Sequence, residues 1–447
     1  MSKLAVKETK KVIPWKAKIE RALDVHQVVG PTWLNALRRA ALEHFCALGL
    51  PTIRHEDWKY TNVAGIAEID FQFGDEPSGT LSKLPQLPLG ELGTNRLVFI
   101  NGRYNRELSS LSSVPAAVKV TSLADAIRSD DPKVREHVTR YARFEDRPFV
   151  ALNTALIGDG AFIEIPDGVV LDEPIHLWFG SGGNAEPVMS HPRSLILVGS
   201  RSQATIVEAY LGLNNSVYFS NAVTEVAISD AAVVDHYKLQ MESERAFHVA
   251  ALDVVQGRSS SFFSHNISFG GELVRNDLGA VLSGEGGECT LDGLYAAKGK
   301  QHVDNHTVID HSSPHCGSRE LYKGILDGES TAVFNGSVIV RKDAQKTDAR
   351  QSNRNLLLSE TAEINTKPEL RILADDVKCS HGATIGQIDR EALFYLRSRG
   401  IGQDEARTLL TYAFANEILE RIRIKDLRTQ VEETLSHSML ESALGGL

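Results

Sequence analysis

From about Ala161 to His381 the chain is written in short apolar alternations broken by Gly, Asn, Asp and Ser. Phe162-Ile163-Glu164-Ile165, Leu195-Ile196-Leu197-Val198 and Ala204-Thr205-Ile206-Val207 set the texture, and it continues through Ala222 to Ile228, Phe247 to Val255 and Val333 to Val340. Period two is the mark of a strand with one face buried. More than two hundred residues of it, with few helix signals, exceed what an ordinary sandwich holds. A barrel pair, a propeller or a parallel β-helix remains. No WD dipeptide or hexapeptide repeat is evident, so periodicity leaves the three open.

Helices are expected on either side. Leu34, Leu37, Ala41, Phe45 and Leu48 recur at helical spacing after Pro31, and Gly49 with Pro51 ends the run. Leu50 to Thr61 has no clear period and reads as a packed connector anchored by Trp58 and Tyr60. Gly74 to Gly93, rich in Gly, Pro and Ser, reads as a linker, and Leu97 to Ile100 before Asn101-Gly102 as a strand entering a tight turn. Ser122 can cap a helix over Leu123 to Ile127, with further pieces toward Tyr141. At the other end, Asp389 can cap Glu391 to Arg399, which stops at Gly400. Asp404 can cap Glu405 to Arg423, and Leu427, Val431, Leu435 and Met439 form a stripe on a third helix. The divisions expected are 1–155, mainly helical with a linker; 156–388, the strand-rich core; and 389–447, a helical tail that either caps the core or docks a partner.

Charge and cysteine usage narrow the partners. A net charge of -10 disfavours nucleic acid, and no stretch approaches a membrane span. Cys46, Cys289, Cys316 and Cys379 are far apart without a CxxC pair, which fits a reducing compartment rather than a disulfide framework or zinc module. There is no GxxxxGK[ST] loop and no strand-framed GxGxxG, so no nucleotide is expected on this chain by those routes.

Two constellations could carry chemistry. His302, Asp304, His306, Asp310, His311, His315 and Cys316 crowd one strand-like run in which His302, Asp304 and His306 share a face, with His311 and His315 after it near a Ser-Ser-Pro turn. They read as metal ligands or as polar residues on a solvated strand face. Cys379 and His381, in Val377-Lys378-Cys379-Ser380-His381-Gly382, would point the same way on a strand. Two soft or borderline ligands do not close a tetrahedral shell, so a metal held there needs ligands from elsewhere; otherwise the cysteine is a small buried apolar group.

Longer stretches carry a resemblance. Leu321-Tyr322-Lys323-Gly324-Ile325-Leu326-Asp327-Gly328, Ala332-Val333-Phe334-Asn335-Gly336, Lys346 to Gln351 with Asn353 to Ser359, Thr366-Lys367-Pro368-Glu369-Leu370, Cys379 to Thr384 and Leu393 to Ile401, together with Leu50-Pro51-Thr52 and Glu56 to Thr61, resemble the SufB/SufD family of iron-sulphur cluster assembly proteins. The SufD branch is the nearer, because SufB subunits carry an acidic Glu-His-Glu-Ala-Thr form where this chain has Cys379 to Thr384. The resemblance implies a mainly β fold, a right-handed parallel β-helix between helical ends. It implies a scaffold without turnover of its own, in a complex with SufB and two copies of the SufC ATPase, or a homodimer when alone. His381, with Cys379 beside it, matches the residues at the SufB/SufD interface that serve a transient iron-sulphur cluster, the other ligands coming from SufB. The tail from Glu391 to Ile424 matches the ATPase-docking segment, with Phe394, Tyr395, Arg397, Arg399 and Ile401 as contact residues. A reduced flavin on the assembled complex is compatible with the family. Its setting would be the bacterial cytoplasm, or a plastid stroma if a transit segment precedes this sequence. The alternatives are a β-helix enzyme for carbohydrate or acyl substrates built on the His302 to Cys316 run, and a structural partner with Cys379 and His381 inert.

Overall fold

The computed structural model describes residues 30–73, 94–183 and 186–444 with Trp15, Ala17, Ile19 and Glu20, and side chains as far as His437. The expected linker at Gly74 to Gly93 lies outside these residues, as does the side chain of Met439.

The alternating segments form a solenoid of about eight turns. Tyr218–Ile228, Phe247–Gln256, Leu273–Leu282, His302–His311, Thr331–Val340 and Glu363–Ile372 lie in one sheet. Gln203–Gly212, Val233–Glu242, Ser261–Gly270, Glu288–Ala297, Gly317–Leu326, Asp348–Leu357 and Lys378–Gln387 lie in a second. The chain crosses between sheets at each turn, so every strand pairs in parallel with the one two places on. This decides for the parallel β-helix. Leu97 to Ile100 is indeed a strand, Asn95–Ile100, but it pairs in parallel with Ile175–Ser181 and so belongs to the solenoid's second sheet. At its end Asn101 and Gly102 both have positive φ, 49° and 80°, as a tight hairpin turn requires.

The repeat is set by backbone. Arg201, Ala231, Ser259, Gly286, His315 and Lys346 sit at the same corner of successive turns with φ between 53° and 71°. Each N–H there donates to a carbonyl of the following turn, Asp230, Arg258, Glu285, Pro314, Gln345 and Asp376 respectively. A left-handed conformation costs a non-glycine residue about 1–2 kcal/mol, and the recurring hydrogen bond offsets it. Only one of the six is glycine. The repeat therefore has no fixed letter to betray it.

Inward side chains of both sheets form a continuous core that includes Ile206, Val234, Phe262 and Leu291 from one and Ala222, Leu252, Leu278 and Ile309 from the other. The outer faces are clad by the two ends of the chain. Phe219, Phe247 and Leu273 of the first sheet pack against Phe45, Trp58, Ile66, Phe71 and Phe149. Leu239, Ile267 and Leu294 of the second pack against Ala415, Ile418, Leu427, Val431 and Leu435. For these residues the apolar stripe of the tail is an intramolecular cap. The helix expected from Asp404 starts earlier and ends sooner, at Gln403–Leu419, with Gly402 at its N-cap and Asp404 inside its first turn. A carboxylate there still favours the positive end of the helix dipole.

One buried ion pair ties the N-terminal region to the solenoid. Arg193 donates to Glu225 at 3.0 and 2.6 Å and to Asn153 and Thr154 at 3.1 and 3.0 Å, while Glu225 accepts the backbone N–H groups of Thr139, Tyr141 and Ala142. Both side chains are fully buried. Arg193→Met strands the carboxylate and is expected to lower stability by about 3–5 kcal/mol, read as a shifted urea midpoint. A shift under about 1 kcal/mol would show that the pair does not hold the two regions together.

Candidate functional site at the open end of the solenoid

The last strand, Lys378–Gln387, pairs with Asp348–Leu357 and, among the described residues, with no strand on its other side, so it closes the second sheet as an edge. In that register Cys379 lies opposite Ala349 and His381 opposite Gln351. Cys379 packs on Val338, Val340, Ala349 and Ala374, inside the solenoid wall. Alternation puts His381 on the same inward face, one pitch along. It heads the column Leu291, Glu320, Gln351, His381, whose first three members are buried. His381 is exposed because none of the described residues covers this rung. The same cause leaves Ile372, Leu373 and Ile385 open at 40%, 57% and 52%. Apolar exposure of this kind on an unpaired edge marks a surface for association.

Chemically the two side chains are unequal. Burial raises the Cys379 thiol above its ordinary range, so the thiolate needed for metal binding is not preformed. Among the described residues no group of three or more His, Cys, Asp or Glu is placed to hold a metal. The shell left incomplete by two ligands is not completed by the described part of this chain.

The histidine-rich run lies elsewhere and does different work. His302, Asp304 and His306 do share the outward face of His302–His311, but that face is not solvated: Thr61 of the N-terminal region lies on it, donating to Asp304 and lying 2.9 Å from His302 Nε2. Arg275 donates to Asp304 at 2.6 Å and to the Asp57 carbonyl at 2.8 Å, and its guanidinium stacks on Trp58 at 4.2 Å. Burial opposes the Asp304 charge, but Arg275 and His306 hold the carboxyl far below its usual range. This is a clamp between layers. Trp58 is the expected anchor and is buried, whereas Tyr60 is about half exposed. His311 is not in the turn, as its place before Ser-Ser-Pro suggested, but is the last residue of the strand, facing inward with Nε2 2.9 Å from Ser318. Only His315 occupies the turn, at φ 58°.

In the tail, Asp389 caps Arg390–Ser398 as expected, accepting from Glu391 and Ala392, and Gly400 ends it at φ 90°. This helix buries none of its residues. Phe394 and Tyr395 are 73% and 58% exposed, and Arg399 lies over the Tyr395 ring at 5.2 Å. The following helix instead buries Ala406, Thr411, Ala415, Ile418 and Leu419, so the free surface narrows to Arg390–Ser398 and its flank at Arg399 and Ile401.

Residues 180–414 match the family model described as SUF system FeS cluster assembly, SufBD core domain, and residues 20–177 match the SufBD protein N-terminal region. The chain belongs to the SufBD family. It is 36% identical over 410 residues to a SufBD family iron-sulphur cluster assembly protein of Synechocystis, covering 89% of this chain and 90% of that protein. It is 34% identical to the iron-sulphur cluster assembly protein SufD of Escherichia coli, covering 87% of this chain and 89% of SufD. It is 30% identical to the chloroplastic protein ABCI7 of Arabidopsis thaliana over 89% of this chain and 84% of that one. The family resemblance drawn from the quoted stretches is thereby borne out.

This member of the SufBD family also has a polar interior that the sequence pattern did not reveal. Glu242 lies 2.7 Å from His248 Nδ1, and Lys238 lies 3.0 Å from His248 Nε2. Glu208 accepts from Tyr210 and Thr224 at 2.9 and 2.8 Å. Burial draws the Lys238 ammonium down to about 8. Each of these residues reads as the polar member of an alternation, and only the register of adjacent turns brings them together inside.

Buried histidines make the fold sensitive to acid. Burial pulls His176, His265 and His311 down to about 4 and His191 to about 3. In the opposite sense, burial pushes Asp292 up to about 6 and Glu320 to about 7. The unfolded histidines bind protons below pH ~6.5 while the folded ones do not, so their contribution is present above that pH and fades toward pH ~4. The two carboxyls act the other way, favouring the fold below pH ~4.5 and losing that contribution as pH rises toward 7. Four groups outweigh two. We expect stability at pH 4.5 to be lower than at pH 7 by about 2 kcal/mol or more, measured by urea denaturation; equal or greater stability at pH 4.5 would contradict the neutral state of these histidines.

Proposed function

We propose that this chain is a SufD-like scaffold subunit which contributes part of an iron-sulphur assembly site and obtains the remaining ligands from a SufB-like partner. The observation that carries this reading is the open rung: Cys379 and His381 share the inward face of an unpaired edge strand, in a setting of exposed Ile372, Leu373 and Ile385. A second solenoid docked there would cover the apolar residues and bring its own ligands to His381. The cluster is cargo. An imidazole with one thiol holds iron less firmly than four thiolates, which suits a cluster that must be passed on.

The helix Arg390–Ser398 serves as the seat for a SufC-like ATPase, through Phe394 and Tyr395 flanked by Arg397, Arg399 and Ile401. Nucleotide-driven pairing of two ATPase subunits is a means of moving one solenoid against the other and so of opening the shared site. ATP hydrolysis belongs to that partner, and a reduced flavin is accommodated at the level of the complex. The chain works in a bacterial cytoplasm or a plastid stroma; among the described residues no helix is long and apolar enough to cross a membrane. Against the enzyme alternative, two residues of the His302 to Cys316 run, His302 and Asp304, are engaged by Thr61 and Arg275.

The reading is tested by gentle purification of the tagged chain from its native cell. A SufB-like subunit and an ATPase should accompany it, with iron and acid-labile sulphide in equal amounts. Recovery of the chain alone, with neither partner, would contradict it.

A further inference from the structure

The column beneath His381 contains a buried oxygen atom whose bonding is unfinished. Gln351 stands one rung below His381 in direct register, at the inter-strand spacing of about 4.8 Å. Its amide nitrogen donates to Glu320 Oε2 at 2.7 Å, one rung further in. That bond fixes the amide so that nitrogen faces inward along the column. The other amide atom, Gln351 Oε1, is buried and without a partner among the described residues, whereas Glu320 also has the Thr307 hydroxyl beside it. An unsatisfied buried carbonyl is destabilising, and one rung away lies an imidazole able to donate to it.

The opposite wall is cut to admit this side chain. Gly336 lies in Thr331–Val340 of the other sheet, and a β-carbon there would collide with the Gln351 amide and with the Phe334 ring. The glycine is a close approach, not a turn: its place in the strand is extended, and no positive φ is involved. Glu320, Gln351 and Gly336 thus come from three strands to hold one amide in one orientation.

We propose that Gln351, oriented by Glu320, positions His381 by accepting a hydrogen bond from its Nδ1–H, so that Nε2 is the nitrogen presented outward at the mouth of the solenoid. Of the two ring nitrogens Nδ1 lies nearer the strand and so is the one a turn of the ring would bring to Gln351 Oε1, a bond this structure does not contain. Nε2 then carries the free lone pair, which is the form a metal needs. Gln351 is a positioning residue that touches no cargo itself. The inference rests on the assembly role of His381 proposed above, yet its first readout does not depend on that role.

The test uses the full-length chain labelled with 15N-histidine, with the His381 signals assigned from H381A. Nitrogen shifts near pH 8 should report mainly the Nδ1–H tautomer at His381. Gln351→Leu, which keeps the volume and removes the acceptor, should return the ring to the Nε2–H form that free imidazole side chains favour. Gln351→Glu, which keeps an accepting oxygen, should retain Nδ1–H. Gly336→Ala, which pushes the amide aside from the opposite sheet, should act as Gln351→Leu does and serves if that variant folds poorly. A predominant Nε2–H form in the unmodified chain, or no change with Gln351→Leu, would overturn the proposal. A second readout is iron retained by the purified complex, expected to fall about 10-fold or more with Gln351→Leu and to recover with Gln351→Glu. A tautomer change with iron retention unaltered would overturn the assembly role of His381 while leaving its positioning by Gln351 in place.

Discussion

His381→Ala is expected to reduce the iron-sulphur cluster formed on the complex by at least about 10-fold while leaving the complex assembled and the chain folded. The two halves of this expectation come from the same geometry. His381 is exposed on the terminal rung, and its loss removes from the fold only the one hydrogen bond to Gln351 proposed above, so stability should fall by no more than about 1–3 kcal/mol and the chain should stay folded. A ligand set divided between two subunits has no spare member, and removing one imidazole leaves a metal with too few strong donors. The matching change at Cys379 should do less. Its thiol is partly buried against Val338, Val340, Ala349 and Ala374, and burial keeps it protonated at neutral pH. Cluster absorbance and iron content on the co-purified complex decide the matter. A His381→Ala complex with full cluster content would remove His381 from the assembly site.

The second large effect concerns the tail. Phe394→Ala with Tyr395→Ala is expected to weaken capture of the ATPase by at least about 30-fold, since exposed aromatic residues at the centre of an interface carry about 2 kcal/mol or more. Folding should be untouched, because Arg390–Ser398 buries none of its side chains. Truncation after Asp389 would be a poorer experiment. It removes Ala415, Ile418, Leu427, Val431 and Leu435, which cover Leu239, Ile267 and Leu294, and so exposes a core face as well as deleting a docking helix. Arg421 and Arg423 would also leave Asp292 and Asp235 without their ion pairs. Undiminished binding of the ATPase by the double variant, in a titration followed by calorimetry, would place its seat elsewhere.

How legible was this in the residues? The strand texture was plain at Phe247 to Val255 and Val333 to Val340, where both sheets need apolar residues inward and one face is clad outward. The solenoid was hidden because its corner conformation is held by a backbone hydrogen bond that any residue can make, and Arg, Ala, Ser, His and Lys occupy five of the six positions. The pairing of Cys379 with His381 needed only alternation along one strand. The pairing of Gln351 with Glu320 needed the register between turns, which no local pattern encodes. For the histidine-rich run, local spacing found the shared face but not Thr61 and Trp58, which reach it from more than two hundred residues away. Capping chemistry was reliable at Ser122 and Asp389, where the side chain accepts the expected N–H groups. It failed at Asp404 because Gly402 supplied an acceptable helix start two residues earlier.

The central claim is that this chain holds only part of an assembly site and that the rest comes from another solenoid. It is tested most directly by anaerobic reconstitution of the purified chain with ferrous iron and sulphide, alone and with a SufB-like partner, followed by gel filtration and iron and sulphide analysis of the protein peak. The account predicts little retained iron on the chain alone, stoichiometric iron and sulphide on the mixed complex, and loss of that gain with His381→Ala. A full cluster on the chain alone, unaffected by His381→Ala, would contradict it.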